Sequence, residues 1–337
     1  MIYASLALFV ALITTAIGVP ESRFWILRTD HKTAESLQTA IADESISSTQ
    51  LEEKITSLIT SKTIEELADF KDAISEQKQF VKDTGTIEIK EIEEIVPMGI
   101  RLQSGAHISR NGPLVDILLD VNIMEKGKRQ KYRELRAVAS STLTGNRWHC
   151  HHHWARGDET TLLLTKFSSV PEGKGITTPS KPAILLTYEL LSVSPADLTK
   201  FGKSTPATRE KATVWLRGQA EVLDGAKFLC RSGARSEHRN QIQYLNDKGG
   251  EWDTWSGGSL LSLESKIEPD GSKVELKVDL TWQEPDDPSD EADYKFEIED
   301  TFDAGIATIV HPTTMPKNAK ASVIMLITPE VVPAKKP

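Results

Sequence analysis

Residues 148–154 read Trp-His-Cys-His-His-His-Trp, the densest run of metal-competent side chains in the sequence. On an extended strand alternate side chains share a face, so His149, His151 and His153 would line up with successive Cβ atoms about 6–7 Å apart. Three imidazoles with an open fourth position suit zinc, which takes nitrogen ligands tetrahedrally and activates a bound water. Asp158 and Glu159 follow in the adjoining turn. The same pattern suits a solvent-facing strand that is merely His-rich, with tryptophans on its other face, and the residues alone leave both readings open. The second half of the chain has only His311 near the corresponding place, so the cluster is not part of a repeated design.

Other candidate sets are weaker. Arg156-Gly157-Asp158 spells an adhesive tripeptide at an expected hairpin tip, and reads first as a plain turn. Arg231–His238 contains Ser232, Glu237 and His238, but no Gly-x-Ser-x-Gly elbow, so no catalytic triad is expected. No P-loop and no dinucleotide glycine fingerprint is present. Trp252, Trp255 and Trp282 read as sheet packing rather than as sugar platforms. The expectation is a non-enzyme with no catalytic residue, and zinc on the histidines is the one cofactor the sequence would accommodate.

The chain has 337 residues and a net charge of −9. Its most basic run, Lys126–Arg136, reads as a solvated loop or short helix, so nucleic acid is not an expected partner. Residues 1–20 carry no charge, Ile2–Ile17 is apolar, and Ala16 and Gly18 are small. This predicts a signal peptide over 1–18 and an exported protein, with an uncleaved membrane anchor as the alternative. Cys150 and Cys230 are the only cysteines. An exported location permits one disulfide between them without demanding it.

The elements that must position these residues start from Gly258–Leu280. Leu261, Leu263, Ser265 and Ile267 share one face of a first strand, and Val274, Leu276, Val278 and Leu280 share one face of a second. Such alternation predicts a half-buried antiparallel hairpin. Asp270 and Gly271 supply its turn, Gly271 with positive φ. The pattern occurs earlier at Gly99–Val121, where Asn111 and Gly112 form the turn, and Gly271 follows Gly112 by 159 residues (271 − 112). The offset holds through both strands without a gap, which predicts an internal duplication.

Strand–helix openings precede each hairpin. Arg23–Arg28 reads as a strand, with Thr33 as helix N-cap and Ala34–Ile41 as helix. Ala183–Val193 reads as the matching strand, with Ser194 as N-cap before Pro195. Leu51, Ile55, Leu58 and Ile59 have helical spacing, as do Ile64, Leu67, Phe70, Ile74 and Phe80. Ala321–Thr328 reads as a last apolar strand ended by Pro329. The expected organisation is a leader over 1–18, a first repeat over 22–167, a linker over 168–181, a second repeat over 182–332 and a disordered tail over 333–337.

Three segments of the second half, in order, resemble the core domain of bacterial secretins, the outer-membrane ring proteins of type II and III secretion and pilus systems. Ala183–Gly202 is similar to the opening strand and helix, Leu260–Leu280 to the central hairpin, and Val323–Val332 to the closing strand with its Thr-Pro-x-Val-Val ending. The resemblance implies an α+β fold of two tandem secretin-like repeats, each a strand–helix opening followed by a mainly antiparallel sheet. It also implies a structural or assembly role in the periplasm or outer membrane. Partners would then be envelope or secretion-system proteins, or further copies of the chain, with association with the membrane. A secreted or periplasmic binding or adhesion module is the alternative, followed by a zinc hydrolase on His149, His151 and His153. Apolar strand faces such as Leu276, Val278 and Leu280 are expected to pack inside the protein rather than against lipid.

Overall fold

The computed structural model describes residues 19–43, 45–89, 94–108, 113–126, 132–170, 182–194, 196–197, 209–248, 251–284, 293–315 and 322–332. The leader, residues 171–181 of the linker, the tail and the turn at Asn111 and Gly112 lie outside these residues, while Ser168, the expected first linker residue, ends a strand. The first half contains β1 (Glu21–Asp30), α1 (His31–Ala42), α2 (Ser48–Thr60), β2 (Glu65–Ala73), β3 (Lys78–Ile89), β4 (Glu94–Ile108), β5 (Leu114–Lys126), β6 (Tyr132–Thr144), β7 (Trp148–Arg156) and β8 (Glu159–Ser168). The second contains β9 (Ala183–Val193), α3 (Arg209–Gln219), β10 (Glu221–Arg231), β11 (Ala234–Lys248), β12 (Glu251–Ile267), β13 (Lys273–Gln283), β14 (Asp293–Asp303), β15 (Thr308–Val310) and β16 (Ser322–Val332).

These strands form two eight-stranded antiparallel sheets. One runs β2-β1-β8-β7-β10-β9-β16-β15 and the other β3-β4-β5-β6-β11-β12-β13-β14. The fold is a β-sandwich-like one, 69% strand and 14% helix, and not the α+β fold of secretin-like repeats that the sequence suggested. The described helices take no part in the core between the sheets. They lie over the outer face of the first sheet, where Leu37, Leu51 and Ile55 meet Trp25, Leu162 and Leu164, and Leu216 meets Leu191 and Ile324. The main core lies between the sheets. Leu276, Val278 and Leu280 are buried in it, as expected.

One misread run explains part of the difference. Leu67 and Phe70 have helical spacing, yet belong to strand β2. The register of β2 on β1 slips at Leu67, which is an extra residue between Glu66 and Ala68. A bulge adds one residue on one side of the pair, so a step of two becomes a step of three. The helix after β1 is capped by Asp30, which accepts the backbone N–H of Thr33 at 2.9 Å, rather than by Thr33 itself. Strand β16 runs through Pro329. Its neighbour β15 pairs only with Met325–Ile327, so the missing N–H of Pro329 costs no ladder bond on that side.

The strand order repeats. In each half the first strand lies between the second and the last, and four consecutive strands make up the other sheet. The 159-residue offset of the hairpins extends to β6 and β14, whose registers place Leu135, Ala137 and Leu143 opposite the same β5 positions as Tyr294, Phe296 and Phe302 on β13. The bulge repeats too: Leu223 on β10 is the extra residue between Val222 and Asp224, as Leu67 is on β2. Gly99 and Gly258 share positive φ, +127° and +113°. A Cβ would stand 2.1 Å from the carbonyl oxygen of Lys82 at the first and 2.2 Å from that of Asn240 at the second. Only glycine allows strands to approach that closely at that backbone conformation.

Candidate functional site

The two halves join edge to edge. Strand β7 pairs with β10 in one sheet, and β6 with β11 in the other. Most of the buried polar chemistry is gathered at this seam.

The histidine run lies on β7, but its alternation is broken. Cys150 pairs with Leu164 and His152 with Leu163, so His151 is an extra, bulged residue. His149 and His151 consequently turn inward, to the carbonyl of Thr144 at 2.8 Å and the hydroxyl of Ser141 at 3.0 Å. His153 points the other way, and its Nδ1 lies 2.6 Å from the Gln38 amide on α1. The three residues expected to line one face are therefore divided between two. Among the described residues no group of three or more His, Cys, Asp and Glu side chains is placed to hold a metal ion.

His152, which sequence reasoning left unassigned, has the more specific partner. Its Nε2 lies 2.8 Å from Nδ1 of His238 on β11, with ring centroids 5.1 Å apart and planes 18° from parallel. Phe228 stacks on His152 at 5.0 Å, and Tyr188 meets His238 edge-on at 5.5 Å. One imidazole must donate to the other, so the accepting ring is neutral. Burial lowers the pKa of both rings, each is near the other or another histidine, and His238 is brought to about 3. Burial likewise lowers His151 and His153 to about 3 and His149 to about 4.

Beside this pair, Asp224 on β10 accepts from the Asn240 amide at 2.7 Å and from the Gly225 N–H at 2.8 Å. Burial pushes its carboxyl up to about 6, against the hydrogen bonds and the nearby Arg156. Asp224 and Asn240 come from different sheets, so their bond fastens the two layers. Arg156 belongs to the Arg-Gly-Asp turn, where Gly157 takes φ +54°. Its proximity to Asp224 gives that arginine an internal partner and supports the plain-turn reading. Ser232 accepts the Ile267 N–H at 3.0 Å from the turn before β11, while His238 is inside the core, so no Ser–His pair forms.

Gly271 has φ +74°, and Asp270 accepts from the Ser272 N–H at 3.0 Å, which makes the expected turn. Cys150 and Cys230 are both free thiols. Trp282 is buried against the sheet. No helix among the described residues is long and apolar enough to cross a membrane.

Two positions carried little or no signal in the sequence. Asp224 sits in an ordinary-looking strand and is identifiable only through its bulge and its cross-sheet partner. Glu52 on α2 is the other. It accepts from Lys166 at 2.8 Å, Trp148 Nε1 at 3.1 Å and Arg23 at 3.0 Å, and so fastens the helical layer to three strands.

His152, His238 and Asn240 have no exposed surface and Asp224 has almost none. Clefts of about 220 Å³ beside Met98 and Glu134, and about 280 Å³ between α2 and Trp148, open elsewhere. The seam histidines are thus placed to hydrogen-bond and stack, out of contact with solvent. Comparisons with known proteins give no neighbour: no family model, no curated protein and no solved structure matches the chain.

Proposed function

We propose that the chain is a non-enzymatic, exported structural protein of a bacterial envelope that acts by assembly with envelope proteins or its own copies. The observation that carries this reading is the seam. The residues best suited to chemistry are buried there, and two of their contacts cross from one half to the other: His152 to His238, and the Asn240 amide to the Ala155 carbonyl at 3.4 Å. A joint of that kind is an assembly device inside a single chain. The uncharged, apolar first 20 residues support export. The secretin-like segments contribute the compartment to this reading and not the fold.

A binding module is the second reading, favoured by one feature. The described helices cover the first sheet only, so the outer face of the second presents rows such as Glu264, Lys266, Glu275, Lys277 and the exposed Leu118 and Leu260. Fractionating cells that express the full chain, with native mass analysis of each fraction, separates the readings. Membrane-associated species of several chains support assembly. A lone chain with no envelope association overturns it and leaves the binding module. Stoichiometric zinc with hydrolysis would overturn both.

A further inference from the structure

The seam is a heterologous joint: its two sides are different surfaces of the same repeat. Such a joint, if repeated between molecules, gives open chains or rings. One side is made by β6 and β7, whose counterparts in the second half are β14 and β15. The other is made by β10 and β11, whose counterparts in the first half are β2 and β3. Among the described residues the two sheets therefore end in a copy of each side with no neighbouring strand, β2 and β3 at one end and β14 and β15 at the other.

One end is closed. After β15 the chain turns at Pro312 and crosses to the other sheet, where Thr313 N–H donates to the Lys295 carbonyl at 2.7 Å and Lys295 N–H to the Thr314 carbonyl at 3.1 Å. In the seam, β7 runs straight on through this position to pair with β10. Lys295 corresponds to Arg136 of β6, which pairs with Arg239 of β11. The crossing segment thus occupies the part of the β14 edge that the seam would use. Natural sheets protect edges in this way against unwanted pairing.

We propose that the β14 edge and the β3 edge of a second copy form a latent head-to-tail joint, held shut by Thr313 and Thr314. This rests on the assembly reading above and names its surface. Copying the seam register, where Val138 faces Glu237, sets Glu297 opposite Gln79 of the next chain. Both side chains are exposed. In the same register Lys78, which pairs with Asp72 within its own chain, stands opposite Ile298 and diagonal to Asp300, while Glu297 and Glu299 leave on the other face of the sheet.

The test uses the full mature chain in three forms: unaltered, Thr313→Pro, and Thr313→Pro with Lys78→Glu. Proline removes the N–H that closes the cap. Native mass analysis across a hundredfold range of concentration should show single chains for the first, a ladder of oligomers for the second, and a shortened ladder for the third. Circular dichroism should be the same for all three. Adding Gln79→Cys and Glu297→Cys to the Thr313→Pro chain should give an intermolecular disulfide, because facing Cβ atoms in antiparallel pairs stand about 4.5–5.5 Å apart. Gln79→Cys with Glu299→Cys should give several-fold less.

A folded Thr313→Pro chain that stays single, or equal cross-linking by the two cysteine pairs, overturns the joint. A ladder from the unaltered chain overturns the cap. Should Thr313→Pro fail to fold, the same disulfide pair in a chain whose crossing segment is loosened by Thr313→Gly and Thr314→Gly decides it, and absence of any linked dimer from that folded chain counts against the joint. Envelope assemblies found in cells but lacking this cross-link would sink this joint while leaving the assembly reading intact.

Discussion

His152 and His238 stack across the two sheets with Nε2 and Nδ1 2.8 Å apart, one imidazole donating to the other. His152 Nδ1 and His238 Nε2 have no hydrogen-bond partner among the described residues. Removing one ring leaves a further buried nitrogen unpaired, which costs about 1–3 kcal/mol, whereas removing both polar groups together costs little. The molecule holds its own precedent: the position equivalent to His238 is Phe80 in the first half, and that of His152 is Val310 in the second. Urea unfolding of His238→Phe and of His152→Val should each show a loss of about 1–3 kcal/mol. The double variant should lose less than the sum, and strict additivity would count against the pair.

Acid should unfold the protein early. The five seam and flanking histidines 149, 151, 152, 153 and 238 are all held below their ordinary 6.5 by burial. Between pH 6.5 and the folded values, the unfolded chain binds protons that the folded chain refuses, so stability falls as pH falls. Each group contributes about 1.4 kcal/mol per pH unit. Asp224 works the other way: its folded value of about 6 exceeds its ordinary 3.8, so between those values falling pH relieves its buried charge. The net expectation at pH 5.5 is uptake of about three to four protons on unfolding. Stability measured by urea at pH 7.5, 6.5 and 5.5 should drop steeply over the lower interval, and Asp224→Asn should steepen it. A flat profile would mean that the imidazoles are solvated.

Two kinds of glycine are distinguishable. Gly258→Ala would place a methyl 2.2 Å from the Asn240 carbonyl oxygen at φ +113°. Backbone must then move, and a loss of at least about 2–3 kcal/mol is expected. Gly271→Ala meets nothing within 4 Å at φ +74°, and only the left-handed conformation opposes it. Its cost should be about 1 kcal/mol, and about 1–2 kcal/mol for Gly271→Val. Melting temperatures of the three variants should follow that order, with Gly99→Ala behaving like Gly258→Ala.

Much of the fold was legible where alternation was regular. Leu261, Leu263, Val274 and Leu276 announce their hairpin because one face is buried and the other wet, and the offset to Gly99–Val121 is visible because neither copy has an insertion. Bulges hid the rest. Leu67 turned a strand into an apparent helix, and His151 turned a one-face histidine row into side chains divided between core and helical layer. Extra residues of this kind leave no composition signal. The His152–His238 contact joins residues 86 apart through the pairing of whole sheets, which periodicity along one strand cannot reveal.

Glu52 should govern the docking of α2. Removal from water raises its pKa, but Lys166, Trp148 and Arg23 outweigh this and hold the carboxyl below its ordinary 4.5. Arg23 also lies 4.3 Å from the Trp25 ring centroid and donates to Asp69 at 2.8 Å, so the cation has partners on both sides. The carboxylate is partly solvated, which screens the charge pairing, and the indole N–H is the bond that water replaces least well. Glu52→Gln keeps an acceptor for Trp148 and should cost well under 1 kcal/mol. Glu52→Leu removes every acceptor and should cost about 1–2 kcal/mol. Hydrogen exchange should then accelerate over 48–60 before it does so in β1 or β8, because the helix loses its tie while the sheet keeps its ladder. Equal acceleration in the helix and the sheet would show that the layer is not held at Glu52.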